Sequence, residues 1–187
     1  MRTDRLRPLA VALIAIVAAM VGSVSAVLAR DRAYAPPSPQ KSPTAATFVV
    51  TGNVQHKLRL TVAELAALPN QQTVEVTYRA GSSTEHHVFT GPLLADVLAR
   101  ASPRFDPAVK NDKLRHYISV TASDAYQALV AYAEIDPSFE NKPVLLATTQ
   151  DGVPLTGHGP RLVVPGDAAG GRYVTGVVKV RITKPRR

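Results

Sequence analysis

The 187-residue sequence contains no cysteine and no tryptophan. The first absence excludes disulfide staples, thiolate nucleophiles and soft thiolate metal ligands from whatever this protein does. The second, with aromatics at only 5%, leaves Val, Leu, Ile and Ala to build the core. Acidic residues are also sparse: 14 Asp and Glu stand against 22 Lys and Arg, a formal charge of +8. Much of that excess is terminal. Residues 47–187 carry sixteen cations against twelve acids, and four of those cations (Arg181, Lys184, Arg186, Arg187) fall in the last seven positions. A nucleic-acid footprint is a basic stripe with interleaved aromatics. Only a basic C-terminal end is present, so no nucleic-acid partner is expected. There is no Gly-x-Ser-x-Gly elbow, no His-Glu-x-x-His helix and no carboxylate pair at a telling spacing. His86 and His87 are adjacent, which in a strand puts them on opposite faces and prevents shared chelation. His56 and His116 have no nearby partner in the sequence.

What is present begins with Arg2, Arg5 and Arg7, followed by an uncharged run of 22 residues from Pro8 to Ala29. This is the layout of an export signal, and small residues at Val24-Ser25-Ala26 and Val27-Leu28-Ala29 suit a signal peptidase. The run is also long enough to cross a bilayer. Residues 1–29 are therefore expected to be a signal peptide or a membrane anchor. Either way, the domain that follows is expected outside the cytoplasm, secreted or held at the cytoplasmic membrane by residues 8–29. Residues 30–46 read RDRAYAPPSPQKSPTAA, a proline-rich composition that makes extended spacers rather than packed structure. The single folded domain is expected over residues 47–187. At about 140 residues, such a domain buries about two-thirds of its surface without cross-links.

Within the domain, strands are expected at Phe48–Gly52 and from Leu58. Thr61-Val62-Ala63-Glu64 spells a capping box for a short helix that Pro69 ends. Val74, Val76 and Tyr78 alternate with polar neighbours as in a half-buried strand. The chain turns at Ala80–Ser83 and returns through His86–Phe89. Gly91-Pro92 is expected to open a second helix with proline at its first position, with Leu93, Leu94, Val97, Leu98 and Ala101 as its buried face. Further strands are expected at Tyr117–Val120, Val144–Ala147, Leu162–Val164 and Val177–Ile182, with a hairpin turn at Asp151-Gly152. Strands outnumber short helices, so the fold class is α+β, one mixed strand-rich domain.

The order of these pieces resembles the molybdopterin-binding domain of the sulfite oxidase and periplasmic methionine sulfoxide reductase family, over roughly Phe48 to Ile182. Leu60–Leu65 is similar to that family's opening helix, and Phe89–Leu98 to its Gly-containing second helix. Asp124-Ala125-Tyr126 resembles its Asp-Gly-Tyr. Leu145-Leu146-Ala147 with Asp151–Leu155 resembles its Leu-Leu-Ala…Asn-Gly-x-Pro-Leu. The most specific piece is His158-Gly159-Pro160-Arg161-Leu162-Val163-Val164-Pro165-Gly166. The resemblance implies the sulfite-oxidase molybdopterin-binding fold, with molybdopterin as the cofactor to consider. Two departures matter. Where the family has its molybdenum-ligating cysteine, the chain reads Arg79-Ala80-Gly81-Ser82. Where the family has a two-cation run on the pterin phosphate, it reads Arg172-Tyr173-Val174-Thr175 and keeps one cation. The Arg5-Leu6-Arg7 segment also lacks the twin-arginine pair by which such enzymes usually export an already loaded domain.

His158, Arg161, Gly170, Gly171 and Arg172 are the candidate cofactor-binding residues, with no catalytic and no metal ligand assigned. Glycines let backbone N–H groups face a phosphate, and an arginine supplies a fixed fork of donors. The expected function is an exported protein of this fold without thiolate-anchored molybdenum redox chemistry, binding a small anionic or pterin-like ligand. Two alternatives stand beside it: an active molybdopterin-dependent oxidoreductase with a non-cysteine metal ligand, and an extracytoplasmic interaction module working with a membrane partner protein.

Overall fold

The computed structural model describes residues 46–185. The expected signal or anchor and nearly all of the proline-rich linker lie outside the described residues. The chain divides into two units, Met1–Gln40 and Lys41–Arg187, and the described residues belong to the second. No helix among the described residues is long and apolar enough to cross a membrane.

Eleven strands and three short α-helices form the described part, as the α+β expectation required. A five-stranded sheet comprises β2 (Leu58–Thr61), β1 (Thr47–Gly52), β11 (Val177–Thr183), β5 (Tyr117–Ala122) and β6 (Gln127–Ala131), in that order. Only the β1–β11 pair is parallel. A second sheet comprises β3 (Gln71–Ala80), β4 (Ser83–Pro92), β8 (Thr149–Gln150) and β9 (Val153–Pro154). Between the two lies a ribbon of β7 (Leu145–Ala147) and β10 (Arg161–Val163).

This middle ribbon explains why its strands read as unbroken apolar runs. Leu146 and Leu162 face a large core with Phe48, Val50, Ile118 and Val180, and with Leu94, Val97 and Leu98 of helix α2 (Leu94–Arg100). Leu145, Ala147 and Val163 face a smaller core with Val76, Tyr78, Phe89 and Tyr173. A strand buried on both faces loses the polar alternation of a half-buried one. All buried residues of both cores lie between Phe48 and Ile182, so the unit from Lys41 carries its own interior.

Local chemistry sets the element ends. Helix α1 (Val62–Ala66) starts on the expected capping box: the Glu64 N–H donates to Thr61 Oγ1 at 3.1 Å and the Thr61 N–H donates to Glu64 Oε2 at 2.7 Å. The Thr61 N–H, then the Thr61 hydroxyl donating to the same oxygen at 2.9 Å, hold the Glu64 carboxyl below its usual range. The Asp151-Gly152 hairpin has φ of 51° and 77° at its two central residues, the geometry that favours this dipeptide. Gly91 allows a close approach of β4 to the middle ribbon: a Cβ there would lie 2.4 Å from the Leu146 carbonyl oxygen.

One expectation is corrected. Gly91 and Pro92 do not open the second helix. They are the last residues of β4, paired with Gln72 and Gln71, and the helix begins at Leu94 with Leu93 as its N-cap. The sheet ladder on β3 takes Pro92, which needs no N–H at a strand end. Strands β3 and β4 are also longer than the Val74–Tyr78 and His86–Phe89 expected, because the ladder carries the polar residues at both ends of each.

Candidate functional site

The turn between β3 and β4 is where the family resemblance would place a metal ligand. It is a two-residue hairpin: Ala80 pairs with Ser83, and Gly81 takes a φ of 61°. Arg79 just before it is committed through its backbone on both sides. It pairs with Thr84 across the hairpin, and its N–H donates to the Ala168 carbonyl at 3.1 Å. The Arg79 side chain is exposed.

That Ala168 contact draws the glycine-rich loop Gly166–Arg172 down onto β3. Gly170 lies flat on Tyr78: a Cβ there would come within 2.9 Å of two ring carbons. Gly170–Arg172 form one turn of 3-10 helix, and Tyr126 Oη donates to the Gly171 carbonyl at 2.6 Å. Ala125, in the Asp124-Ala125-Tyr126 turn that delivers Tyr126, sits at φ 71°, where glycine is unstrained and alanine is not.

Arg172 does not present its fork to an open cleft. Its Nε and Nη2 donate to Asp167 at 2.8 and 2.6 Å, and its Nη1 donates to both oxygens of Glu134 at 2.9 and 3.2 Å. The Asp167 bonds, then those to Glu134, raise the guanidinium's pKa further still. Burial alone would raise Glu134; the Ala131 N–H and Arg172 outweigh it and hold the carboxyl below its usual range. Two carboxylates therefore already occupy the cation that sequence reasoning offered to a phosphate.

Arg161 is half-buried and organises the smaller core. Its Nη1 donates to Gln150 Oε1 at 2.8 Å and its Nη2 to Tyr78 Oη at 3.0 Å, with the guanidinium carbon 5.2 Å from the Phe89 ring centre. The chain of contacts continues: Tyr78 Oη donates to Glu85 at 3.0 Å, and His87 lies 3.2 Å from Glu85 and 2.7 Å from Asp151. The hydrogen bond from Tyr78, then that from His87, lowers the Glu85 carboxyl; the Val88 N–H, then His87, lowers Asp151. Tyr173 stacks on Tyr78 at 4.1 Å between ring centres. Burial, followed by the Asp167 charge, pushes its phenol up to about 12. Among the described residues, Arg161 Nε and Tyr173 Oη are buried without a hydrogen-bond partner.

The structure thus gathers Arg161, Gly170, Gly171 and Arg172 around the Tyr78–Tyr173 stack. His158 stands elsewhere. It is exposed and lines an open groove of about 480 Å³ with Thr47, Ser123, Asp124, Thr175 and Gly176. Gly159 and Gly176, with φ of 91° and 66°, hold the backbone close there: a Cβ on Gly176 would lie 3.0 Å from the His158 carbonyl oxygen. His116, which sequence reading left without a partner, is buried, with Nε2 3.0 Å from Asn53 Nδ2 and Nδ1 2.9 Å from the Asp112 carbonyl.

The family model described as "oxidoreductase molybdopterin binding domain" matches residues 35–186. The chain belongs to that family. The fold is similar to that of a solved structure, the sulfane dehydrogenase SoxCD of Paracoccus pantotrophus, at a TM-score of 0.59 and 18% identity. That likeness covers 74% of this chain and 38% of the other, so this domain spans well under half of its neighbour. No curated protein matches the chain at a significant level.

Family membership makes molybdopterin the cofactor against which the donors must be weighed. No thiolate is available anywhere in the sequence. Among the described residues, no group of three or more His, Asp or Glu side chains is placed to hold a metal ion. The ligand turn is a tight hairpin, and the loop cation is spent on Asp167 and Glu134. The residues present do not fit a metal held in the thiolate manner. Sequence reasoning missed Glu134, which lies 38 positions from Arg172 and meets it only through folding. Asp167, five positions away in the same loop, was within reach of a charge-pairing argument.

Proposed function

We propose that this protein is an extracytoplasmic member of the molybdopterin-binding domain family that binds a small anionic or pterin-like ligand and performs no thiolate-anchored molybdenum redox chemistry. The observation that carries this reading is the β3–β4 turn. The family's soft-ligand position is a two-residue hairpin whose backbone is bonded on both sides, in a chain without cysteine. Redox cycling at molybdenum needs a site that keeps the metal through changes of charge, and hard side-chain oxygens selected singly do not replace a thiolate there.

The ligand groove in this reading is the one lined by His158. Asp124, Ser123 and Thr175 offer an acceptor and two hydroxyls, and the glycines on its wall bring backbone groups to the surface. A flat heterocycle with donors and acceptors on one edge suits such a lining. The polar network around Arg161 serves to hold β10 against β4 and β8, rather than to meet a ligand.

Metal and pterin analysis of the chain purified from its own host tests the first half. The expected result is far less than one molybdenum per chain, and one molybdenum per chain would overturn it. Thermal-shift titration with pterin-6-carboxylate tests the second half. A saturable shift lost in His158→Ala and Asp124→Asn is expected, and no shift in the parent protein would overturn the ligand assignment. Membrane fractionation of the full chain tests the localisation: recovery in the cytosolic fraction would refute it.

A further inference from the structure

The five-stranded sheet covers the large core with one face and leaves the other open. The register lines up the outward residues in rows across the strands. Arg59, Val49, Lys179, Thr121 and Gln127 form one row, and Thr51, Arg181, Ser119 and Leu129 the next. The only charges in these rows are Arg59, Lys179 and Arg181, and all three are exposed. By strand geometry, Lys179 and Arg181 stand roughly 7 Å apart along one strand, and Arg59 roughly 10 Å from Lys179 across two. Among the described residues, none of the three is in an ion pair, whereas Lys184 beside them is bonded to Asp112 at 2.7 Å. The groove of about 440 Å³ on this face is lined by Lys179, Arg181 and Lys184 and by no carboxylate. Tyr117 and the half-exposed Leu129 supply an amphipathic rim.

In a domain where acids nearly balance bases, a sheet face that excludes acids concentrates positive potential on one side. We infer that this open face docks on an anionic bilayer surface. Chain connectivity favours a bilayer as the occupant. The uncharged run ends at Ala29, and only 17 residues separate it from Thr47, which opens β1 in this same sheet. A proline-rich spacer of that length reaches at most about 60 Å, so the sheet fed by the tether stays near the headgroups. The opposite end of β11 runs into Lys184, which lines the same groove. Near an anionic surface each Lys or Arg adds about 1 kcal/mol, roughly a fivefold change in partition per cation. The tethered reading of residues 8–46 favours a bilayer as the occupant, while the cationic face itself depends neither on that reading nor on the ligand or metal assignment.

The test uses the Lys41–Arg187 unit, which contains both cores, in co-sedimentation with vesicles. Binding is expected to vesicles containing 30% phosphatidylglycerol and not to neutral phosphatidylcholine, and to fall with added salt. Lys179→Glu with Arg181→Glu should cut binding by at least roughly twentyfold. Arg79→Glu with Arg100→Glu, an equal charge change on exposed residues of the other sheet and of helix α2, should cut it far less. Because the chain has no cysteine, Leu129→Cys gives a unique label site. A polarity-sensitive dye there should shift to the blue on anionic vesicles, and the same dye at Val153→Cys on the other sheet should not. Equal losses in the two charge variants, a dye response only at Val153→Cys, or no binding to anionic vesicles would overturn the inference. So would binding of polyglutamate, but not vesicles, through Lys179 and Arg181, which would make the partner an acidic protein. If the unit binds anionic vesicles while the full chain fractionates as a soluble protein, the tether reading fails and the docking face stands.

Discussion

Removing Arg172 separates a structural cation from a ligand-binding one. Its guanidinium makes four hydrogen bonds to Asp167 and Glu134, and the three side chains retain 30%, 19% and 20% of their exposure. Hydrogen bonds to charged partners contribute about 1.5–3 kcal/mol each when buried, and water at this site screens part of that. Arg172→Ala therefore destabilises by about 3 kcal/mol, roughly 10 °C in a domain of this size. Arg172→Lys, which keeps the charge and loses the two-pronged geometry, should recover about half. The cost also depends on pH, and its sign follows from Glu134. The folded-state carboxyl is held below its usual range, so its contribution is present above the unfolded value near 4.3 and lost as pH falls through the folded value. The gap between parent and Arg172→Ala should be widest at pH 7 and narrow as pH falls below the unfolded value toward the lowered folded one. Thermal and urea unfolding across pH 3–8 measure it. A variant melting within 2 °C of the parent at pH 7, or a gap unchanged down to pH 3, would refute this account of the loop.

Other substitutions probe neighbouring contacts. Gly170→Ala should destabilise by about 1–3 kcal/mol, because its Cβ would press on the Tyr78 ring at 2.9 Å, while Gly171→Ala, whose nearest neighbour is Tyr126 Oη at 4.0 Å, should be nearly neutral; equal melting temperatures would show that the loop does not rest on Tyr78. Ala125→Gly should stabilise by about 0.5–1 kcal/mol by relieving a φ of 71°, and a lower melting temperature would count against that backbone conformation. Tyr173→Phe deletes a buried hydroxyl without a partner among the described residues and should be neutral or stabilising by about 1 kcal/mol. In the parent, spectrophotometric titration at 295 nm should find one phenol ionising only near pH 12; its loss from the curve in Tyr173→Phe confirms the assignment, and an unchanged curve contradicts it.

The fold was legible where the signal is local. The Thr61–Glu64 capping box and the Asp151-Gly152 turn each depend on residues within four positions, and both form as written. The family resemblance supplied what local rules lack, the particular fold that these strands build, while the order in which they join came from the structure. Pro92 shows the limit: glycine followed by proline is a sound helix opening by itself, yet ten consecutive pairs with β3 carry both residues into a strand. The candidate site was legible only as a set of residue types. Arg161 and Arg172 carry free donor forks in the sequence; folding gives one to Gln150 and Tyr78 and the other to Asp167 and Glu134.

The sequence alone decided that no thiolate can take part, since composition survives any fold. It also decided that the core is aliphatic and that turns fall at a few dipeptides, because those are set by side-chain identity and backbone strain. Only the tertiary structure decided which charges are spent and which remain for a partner. Ion pairs such as Arg172 with Glu134 join positions far apart in the chain. The row of cations on the open sheet exists because strand register, a long-range property, sets Arg59, Lys179 and Arg181 on one face.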